Sequence, residues 1–179
     1  MAICAGLLAW AEPVFAQDKD QPHFPLPPFA VDAPKTPRAA PDFTLSSNTG
    51  QKVQLKALRS RVVVINFWAT WCVPCVAELP ELKRLADGFQ GQPFTLLAID
   101  VEDTPAKVQA FLQKHQMTLP VLYDDEGDTL RAYGGRGLPT TVIVDHNGNW
   151  VAQALGSKQW NSPEAVRYFR KLIDAVPRK

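Results

Sequence analysis

The stretch Trp68-Ala69-Thr70-Trp71-Cys72-Val73-Pro74-Cys75 decides the fold prediction for this chain. The apolar run at residues 62–67 predicts a buried central strand, and apolar residues spaced by three and four between 76 and 89 predict an amphipathic helix that ends near Gly88 or Gly91. Both cysteines therefore lie in the first turn of that helix, where free N–H groups and the helix dipole favour a thiolate. This arrangement is typical of a redox site.

The same cysteine pair is also compatible with a disulfide staple or with half of a zinc site. A disulfide that encloses only two residues restricts the unfolded chain little, so a structural role is the weaker interpretation. A zinc site needs further ligands at suitable spacing, and neither a second cysteine pair nor His23, His115 or His146 supplies them. The sequence predicts no metal site.

Composition and charge limit the classes of function. The 179 residues are 46% hydrophobic and carry a formal net charge of +1, which suits one globular domain with a sizeable core and a tail. Because the charge is near neutral and no basic run occurs, nucleic-acid binding is not expected.

Residues 1–16 have the pattern of a secretory signal peptide, because residues 3–11 are apolar and Val14-Phe15-Ala16 precedes Gln17. No Lys or Arg precedes the apolar run, so the start lies upstream or the signal is atypical. The alternative is an uncleaved membrane anchor. Cleavage would remove Cys4 and leave Cys72 and Cys75 as the only thiols of an exported, for example periplasmic, protein.

Proline recurs through residues 17–40, which predicts an extended linker; a ligand for a proline-recognition domain is the alternative. The folded domain is predicted at residues 41–179. It begins with a short hairpin, and strands then alternate with helices until a second hairpin and a last helix from Ser162. This order predicts an α/β fold whose mixed central sheet has helices on both faces. The other predicted strands are residues 94–99, 121–123, 141–144 and 150–155, and the other predicted helices start at Thr104 and Asp128.

Four segments together resemble the TlpA/ResA branch of thioredoxin-fold thiol-disulfide oxidoreductases. These are Ala40-Pro41-Asp42-Phe43, the run from Asn66 to Cys72, Glu78-Leu79-Pro80 and Gly137-Leu138-Pro139-Thr140. The resemblance implies a thioredoxin-like three-layer fold in which residues 104–123 are the helix and strand that this branch inserts.

The resemblance also implies roles for three residues. Cys72, expected at the exposed edge of the helix, would attack a substrate disulfide, and Cys75, one turn deeper, would resolve the mixed disulfide. Glu78 follows Cys75 by three positions and would help to move the proton of the deeper thiol. A solvated carboxylate on the helix surface is the alternative interpretation of Glu78.

A second group of residues is expected to bind the substrate chain. Pro139 would form a cis peptide bond after Leu138 and pack against the cysteines, which leaves the neighbouring backbone free to pair with the substrate. Thr140 follows it at the start of a strand, and Trp71 is expected to shield Cys72.

Four further residues are expected to support the site. Trp68 would pack below the cysteines, and Pro74 would stiffen the loop between the sulfur atoms. Pro80 lies inside the predicted helix and should kink it. Asn66 stands where thioredoxin has a buried acid, and Asn is usual there in the TlpA/ResA branch.

The predicted function is therefore that of an exported thiol-disulfide oxidoreductase. Pro74 resembles the residue found in reducing thioredoxins, which favours a reductase of cysteines in exported proteins, with apocytochrome c or copper-site proteins as clients and a membrane thiol donor as partner. The redox-active disulfide would be the only cofactor and the protein a monomer. A thiol peroxidase is the first alternative, but Ala69 stands where it needs Thr. A Cu(I) chaperone is the second, but no Met or His lies near the cysteines.

Overall fold

The computed structural model describes Pro34 and residues 38–177. The predicted signal peptide, residues 1–16, and most of the predicted linker, residues 17–40, lie outside the described residues. Within the described part, no helix combines the length and the apolar composition that a membrane span requires.

Strands and helices alternate along most of the described chain. The strands are β1 (Arg38–Ala39), β2 (Thr44–Ser46), β3 (Lys52–Gln54), β4 (Val62–Trp68), β5 (Phe94–Val101), β6 (Val121–Asp124), β7 (Thr140–Val144) and β8 (Asn149–Leu155). The helices are α1 (Val73–Gly88), α2 (Pro105–Lys114), α3 (Asp128–Ala132) and α4 (Pro163–Asp174), and a 3₁₀ turn covers Leu55–Leu58.

A mixed sheet of six strands forms the centre, in the order β1-β8-β7-β4-β5-β6. Strands β4, β5 and β6 run parallel, whereas β7 is antiparallel to both β4 and β8. The segment predicted as the insertion forms α2 and the edge strand β6, and β2 and β3 form the predicted hairpin as a separate small sheet. The mixed α/β architecture predicted from the sequence is confirmed.

The sheet begins earlier than predicted. Strand β1, inside the range predicted as linker, pairs antiparallel with β8 through Arg38 and Trp150. Its pairing continues as the Ala40 N–H donates to the carbonyl of Gly148 at 3.0 Å. Two residues are too few for a periodic pattern, and their pairing depends on the open edge of β8, which lies more than 100 residues later in the sequence.

Every residue of β4 is buried, because both faces of this central strand are covered. Val62 and Val64 face the cluster that α1 and α4 contribute. Val63 and Ile65 face the opposite cluster, which includes Tyr133 after α3. The two-residue alternation of a strand thus places side chains of β4 in two clusters, and its last residue, Trp68, lies in a third cluster with both cysteines.

Candidate active site

The cysteine motif lies where β4 ends and α1 begins. Cys72 is the N-cap residue of α1, and Pro74 lies in its first turn, where the missing N–H of proline costs no helical hydrogen bond. Cys72 and Cys75 are joined by a disulfide with an S–S distance of 2.01 Å. The disulfide therefore spans the first turn of α1, where the backbone N–H groups have no partner within the helix.

The two cysteine residues differ in burial, although less than expected. Cys72 is 5% exposed and Cys75 is 0% exposed, so the expectation that Cys72 lies at an exposed edge is wrong for the disulfide form. The side chains next to Cys72 are the exposed ones, since Trp71 is 63% and Val73 is 78% exposed. A partner can thus contact the surface around Cys72 before it reaches the sulfur.

Trp68 is fully buried in the same hydrophobic cluster as both cysteines. Its ring packs against Phe111 of α2, with 5.3 Å between the ring centres. Helix α1 runs without interruption through the half-buried Pro80, and the predicted kink stays a prediction. The inserted helix α2 therefore forms part of the packing beneath the cysteine motif.

Glu78 is buried, which makes the solvated interpretation of this residue wrong; only 1% of it is exposed. Its Oε2 accepts hydrogen bonds from the Trp160 indole N–H at 2.9 Å and from the Lys158 backbone N–H at 3.1 Å. Burial raises the pKa of Glu78 above its usual value, although these hydrogen bonds oppose the shift. Glu78 is therefore placed to hold a proton in the interior, three residues after Cys75 on the same helix.

Asn66 connects Glu78 to the neighbouring strand. Its Nδ2 donates to Glu78 Oε1 at 2.8 Å and to Thr141 Oγ1 at 2.9 Å, and Asn66 is fully buried. The Oδ1 of Asn66 accepts no hydrogen bond from the described residues. The neutral amide of Asn66 thus donates a hydrogen bond to the Glu78 carboxylate. An acidic side chain at position 66 could donate this bond only in its protonated form.

The peptide bond between Leu138 and Pro139 is cis, the isomer that the resemblance implies. Thr140 follows at the start of β7, and its hydroxyl donates to the Gly137 carbonyl at 2.6 Å. Thr140 also pairs with Phe67 of β4, one residue before Trp68. The structure thus brings this segment beside the end of β4, next to the cysteine motif.

Sequence reasoning missed a pair of buried aspartates beside the motif. The Oδ2 of Asp103 accepts the backbone N–H of Thr70 at 2.8 Å and its hydroxyl at 2.7 Å, so it anchors the loop that carries Trp71 and Cys72. Asp100 lies beneath it and accepts the Asp103 N–H at 3.2 Å. No periodic pattern marks these residues, and the partner of Asp103 comes from another segment.

Burial and the nearby charge of Asp103 raise the pKa of Asp100 to about 7. Its Oδ2 accepts no hydrogen bond from the described residues. Asp100 pairs with Trp68 across β4 and β5. A carboxyl that changes its charge near neutral pH therefore lies next to the last strand residue before the cysteine loop.

Comparison with known proteins gives the family. The profile of the AhpC/TSA family matches residues 37–153. A thiol-disulfide oxidoreductase ResA of Bacillus anthracis is 30% identical over 135 residues, which cover 75% of this chain and 77% of that protein. The chain belongs to the AhpC/TSA family, among the ResA-like thiol-disulfide oxidoreductases. A ResA of Geobacillus thermodenitrificans is 38% identical over 109 residues, which cover 61% of this chain and 63% of that protein.

Solved structures show the same fold. A crystal structure of a putative thiol:disulfide interchange protein DsbE from Chlorobium tepidum superimposes with a TM-score of 0.67 at 29% identity, and the match covers 81% of this chain and 97% of that one. The predicted thioredoxin-like fold is thereby confirmed. With this fold, its oxidoreductase relatives and the Cys72–Cys75 disulfide, the chain is a disulfide oxidoreductase.

Proposed function

We propose that this oxidoreductase works outside the cytoplasm as a reductase of disulfides in other exported proteins. The observation that carries the proposal is the asymmetric pair at the start of α1, where Cys72 keeps slight exposure beside exposed apolar side chains and Cys75 has none. Cys72 is then the cysteine that meets the client, and Cys75 completes the reaction from inside. The signal-like residues 1–16 support export.

The reaction begins from the dithiol form. The Cys72 thiolate attacks one sulfur of the client disulfide, the client S–S bond breaks, and the released client sulfur leaves as a thiolate that takes up a proton. Cys72 and the client are then joined by a mixed disulfide. The first turn of α1 favours the Cys72 thiolate, because Cys72 is the N-cap residue and the N-terminus of a helix carries partial positive charge.

The second step starts at Cys75. Its thiol gives its proton to the Glu78 carboxylate, and the resulting thiolate attacks Cys72, which releases the second client sulfur as a thiolate. The client gains two electrons, and the protein keeps the Cys72–Cys75 disulfide. The hydrogen bonds of Trp160, Lys158 and Asn66 stabilise the Glu78 anion before the transfer, whereas burial favours its protonated form afterwards.

A thiol donor must then reduce the disulfide again by the same exchange in reverse. The family resemblance suggests a membrane thiol donor, and it suggests apocytochrome c or copper-site proteins as clients. We further propose that the protein acts as a monomer with no cofactor other than its own disulfide. Leu138, Pro139 and Thr140 would present backbone to the client chain beside Trp71.

The variant Cys75→Ser tests the assignment of the two sulfurs. After reduction and exposure to an oxidised client protein, it should accumulate a mixed disulfide through Cys72, which mass spectrometry detects. The control Cys72→Ser should form far less adduct, because Cys75 is fully buried. Equal adduct in both variants would contradict the assigned order of attack.

The variant Glu78→Gln tests the proton step. It should slow the release of the client from the mixed disulfide and change the pH profile of this step, while the first attack keeps its rate. Glu81→Gln, which removes a carboxylate from the same helix, is the matched control. An unchanged pH profile in Glu78→Gln would remove Glu78 from the mechanism.

Measuring the reduction potential of the Cys72–Cys75 pair against glutathione tests whether the protein reduces or oxidises its clients. A value near that of thioredoxin, about −270 mV, supports a reductase, whereas a value near about −120 mV, as in DsbA, would make the protein an oxidant.

A further inference from the structure

A groove of about 600 Å³ lies beside the cysteine motif, between the start of α1 and the inserted helix α2. We name it the α1–α2 groove. Its lining includes Thr70, Val73, Val76, Lys107, Phe111 and Lys114.

The groove begins at the residues that bracket the reacting sulfur. Thr70 and Val73 lie on either side of Trp71 and Cys72 in the sequence, and both line the groove. A client joined to Cys72 therefore has its neighbouring residues within reach of the groove, since an extended chain advances about 3.3 Å per residue.

Apolar side chains are exposed at this end of the groove. Among the described residues, the exposed large hydrophobic side chains are Trp71, Val73 and Leu155, and two of the three flank Cys72. Exposed apolar groups next to a reactive centre are typical of a docking surface. Val76 and Phe111 extend this apolar surface into the groove as partly buried side chains.

The charge of the groove comes from α2. Lys107 and Lys114, two helical turns apart, are both exposed and both line it. The lining residues, all within the described chain, include no carboxylate. Asp103 approaches Lys107 at 3.5 Å, but its side chain is only 1% exposed and it already accepts two hydrogen bonds from Thr70. The accessible charge of the groove is therefore positive.

We propose that the α1–α2 groove binds the client segment next to the target cysteine, and that it selects segments in which acidic side chains accompany an apolar one. This proposal rests on the proposed function, because it assigns a client chemistry to the same site. The carboxylates would meet Lys107 and Lys114, and the apolar side chain would lie on Val73 and Phe111. Charge complementarity of this kind selects partners and speeds encounter.

Two peptides that differ at two positions test the groove by binding alone. In both, Ser replaces the target cysteine; one carries two Asp next to an apolar residue, and the other carries two Asn. Fluorescence anisotropy of labelled peptides at low ionic strength should show about 3- to 10-fold tighter binding of the Asp peptide, since two exposed ion pairs each add modestly. Added salt should reduce this preference.

The double variant Lys107→Gln/Lys114→Gln should abolish the preference for the Asp peptide. The matched control Lys52→Gln/Lys171→Gln removes two exposed lysines elsewhere and should keep it. Equal binding of both peptides by the native protein, or an unchanged preference in the groove variant, would overturn the proposal.

A parallel assay separates this proposal from the proposed function. The native protein should reduce disulfide peptides with the same two sequences, with a higher kcat/KM for the Asp version by a similar factor. Selective binding without reduction would refute only the proposed reductase function. Reduction without a preference for the Asp peptide would refute only the proposed role of the α1–α2 groove.

Discussion

Replacing Asp100 by Asn should lower the stability of the protein at acidic pH and raise it at alkaline pH. Asp100 is 1% exposed, and its pKa rises to about 7 from the usual 3.8 because burial and the charge of Asp103 disfavour the anion. Between these two values the native state binds more protons at this site than the unfolded state does. The free energy of unfolding therefore falls as pH rises through this range.

The size of this fall follows from the two pKa values. Each pH unit between them corresponds to about 1.4 kcal/mol, so charging Asp100 in the native state costs about 4 kcal/mol above pH 7. In Asp100→Asn this cost is absent. Its Oδ1 can still accept the Asp103 N–H, but its Nδ2 carries two N–H donors at a position where the protonated carboxyl has one O–H and where the described residues form no hydrogen bond. The additional unpaired donor costs about 1–3 kcal/mol at every pH.

Asp100→Asn should therefore be less stable than the native protein by about 1–3 kcal/mol near pH 4, and more stable by a similar amount near pH 8.5. Urea denaturation of the disulfide form at a series of pH values measures this difference. Asp87→Asn, at an exposed helix position, is the control for loss of a charge and should change the free energy of unfolding by less than about 1 kcal/mol. A difference between Asp100→Asn and native protein that stays constant over pH would refute the reasoning.

Three further substitutions test other contacts. Asp103→Ala should cost about 1–3 kcal/mol, because the N–H and the hydroxyl of Thr70 lose their shared acceptor, and it should change the alkylation rate of the reduced protein. Asp124→Ala removes a comparable buried acceptor at α3 and should lower stability without changing that rate. Leu79→Ala, at a fully buried position of α1, should cost about 2–5 kcal/mol in urea denaturation, and a cost below 1 kcal/mol would contradict the packing. Trp160→Phe removes a hydrogen-bond donor to Glu78, so the pKa of Glu78 should rise further. The pH profile of client release should then move to higher pH. An unchanged profile would contradict the role of Glu78 in client release.

Local sequence patterns predicted the elements around the cysteines well. A continuous apolar run predicted β4, and apolar residues spaced by three and four after an early proline predicted α1. The predicted helix starts at Thr104 and Ser162 are also present, and each side chain accepts a backbone N–H three residues later. These features depend on residues close in the sequence, so their physical causes are visible in the pattern itself.

The family resemblance added what periodicity could not supply. Nothing in the local pattern around Pro139 distinguishes its peptide bond from an ordinary trans bond, and only the likeness to thioredoxin-fold proteins implied the cis isomer. The same likeness favoured a role for Glu78 over a position on the helix surface, and burial of its carboxylate now excludes that position.

The amino-acid sequence by itself determined the cysteine motif, its place between a buried strand and a helix, and the class of redox chemistry that this place permits. Only the tertiary structure decided how the site is surrounded. Glu78 meets Trp160 from 82 residues away, and Asp103 holds Thr70 from 33 residues away. Such contacts form when the sheet brings distant segments together, and they satisfy buried polar groups that single segments cannot pair. Because no periodic pattern records them, the hydrogen-bond partners of Glu78 and the anchor of the cysteine loop emerged only from the fold.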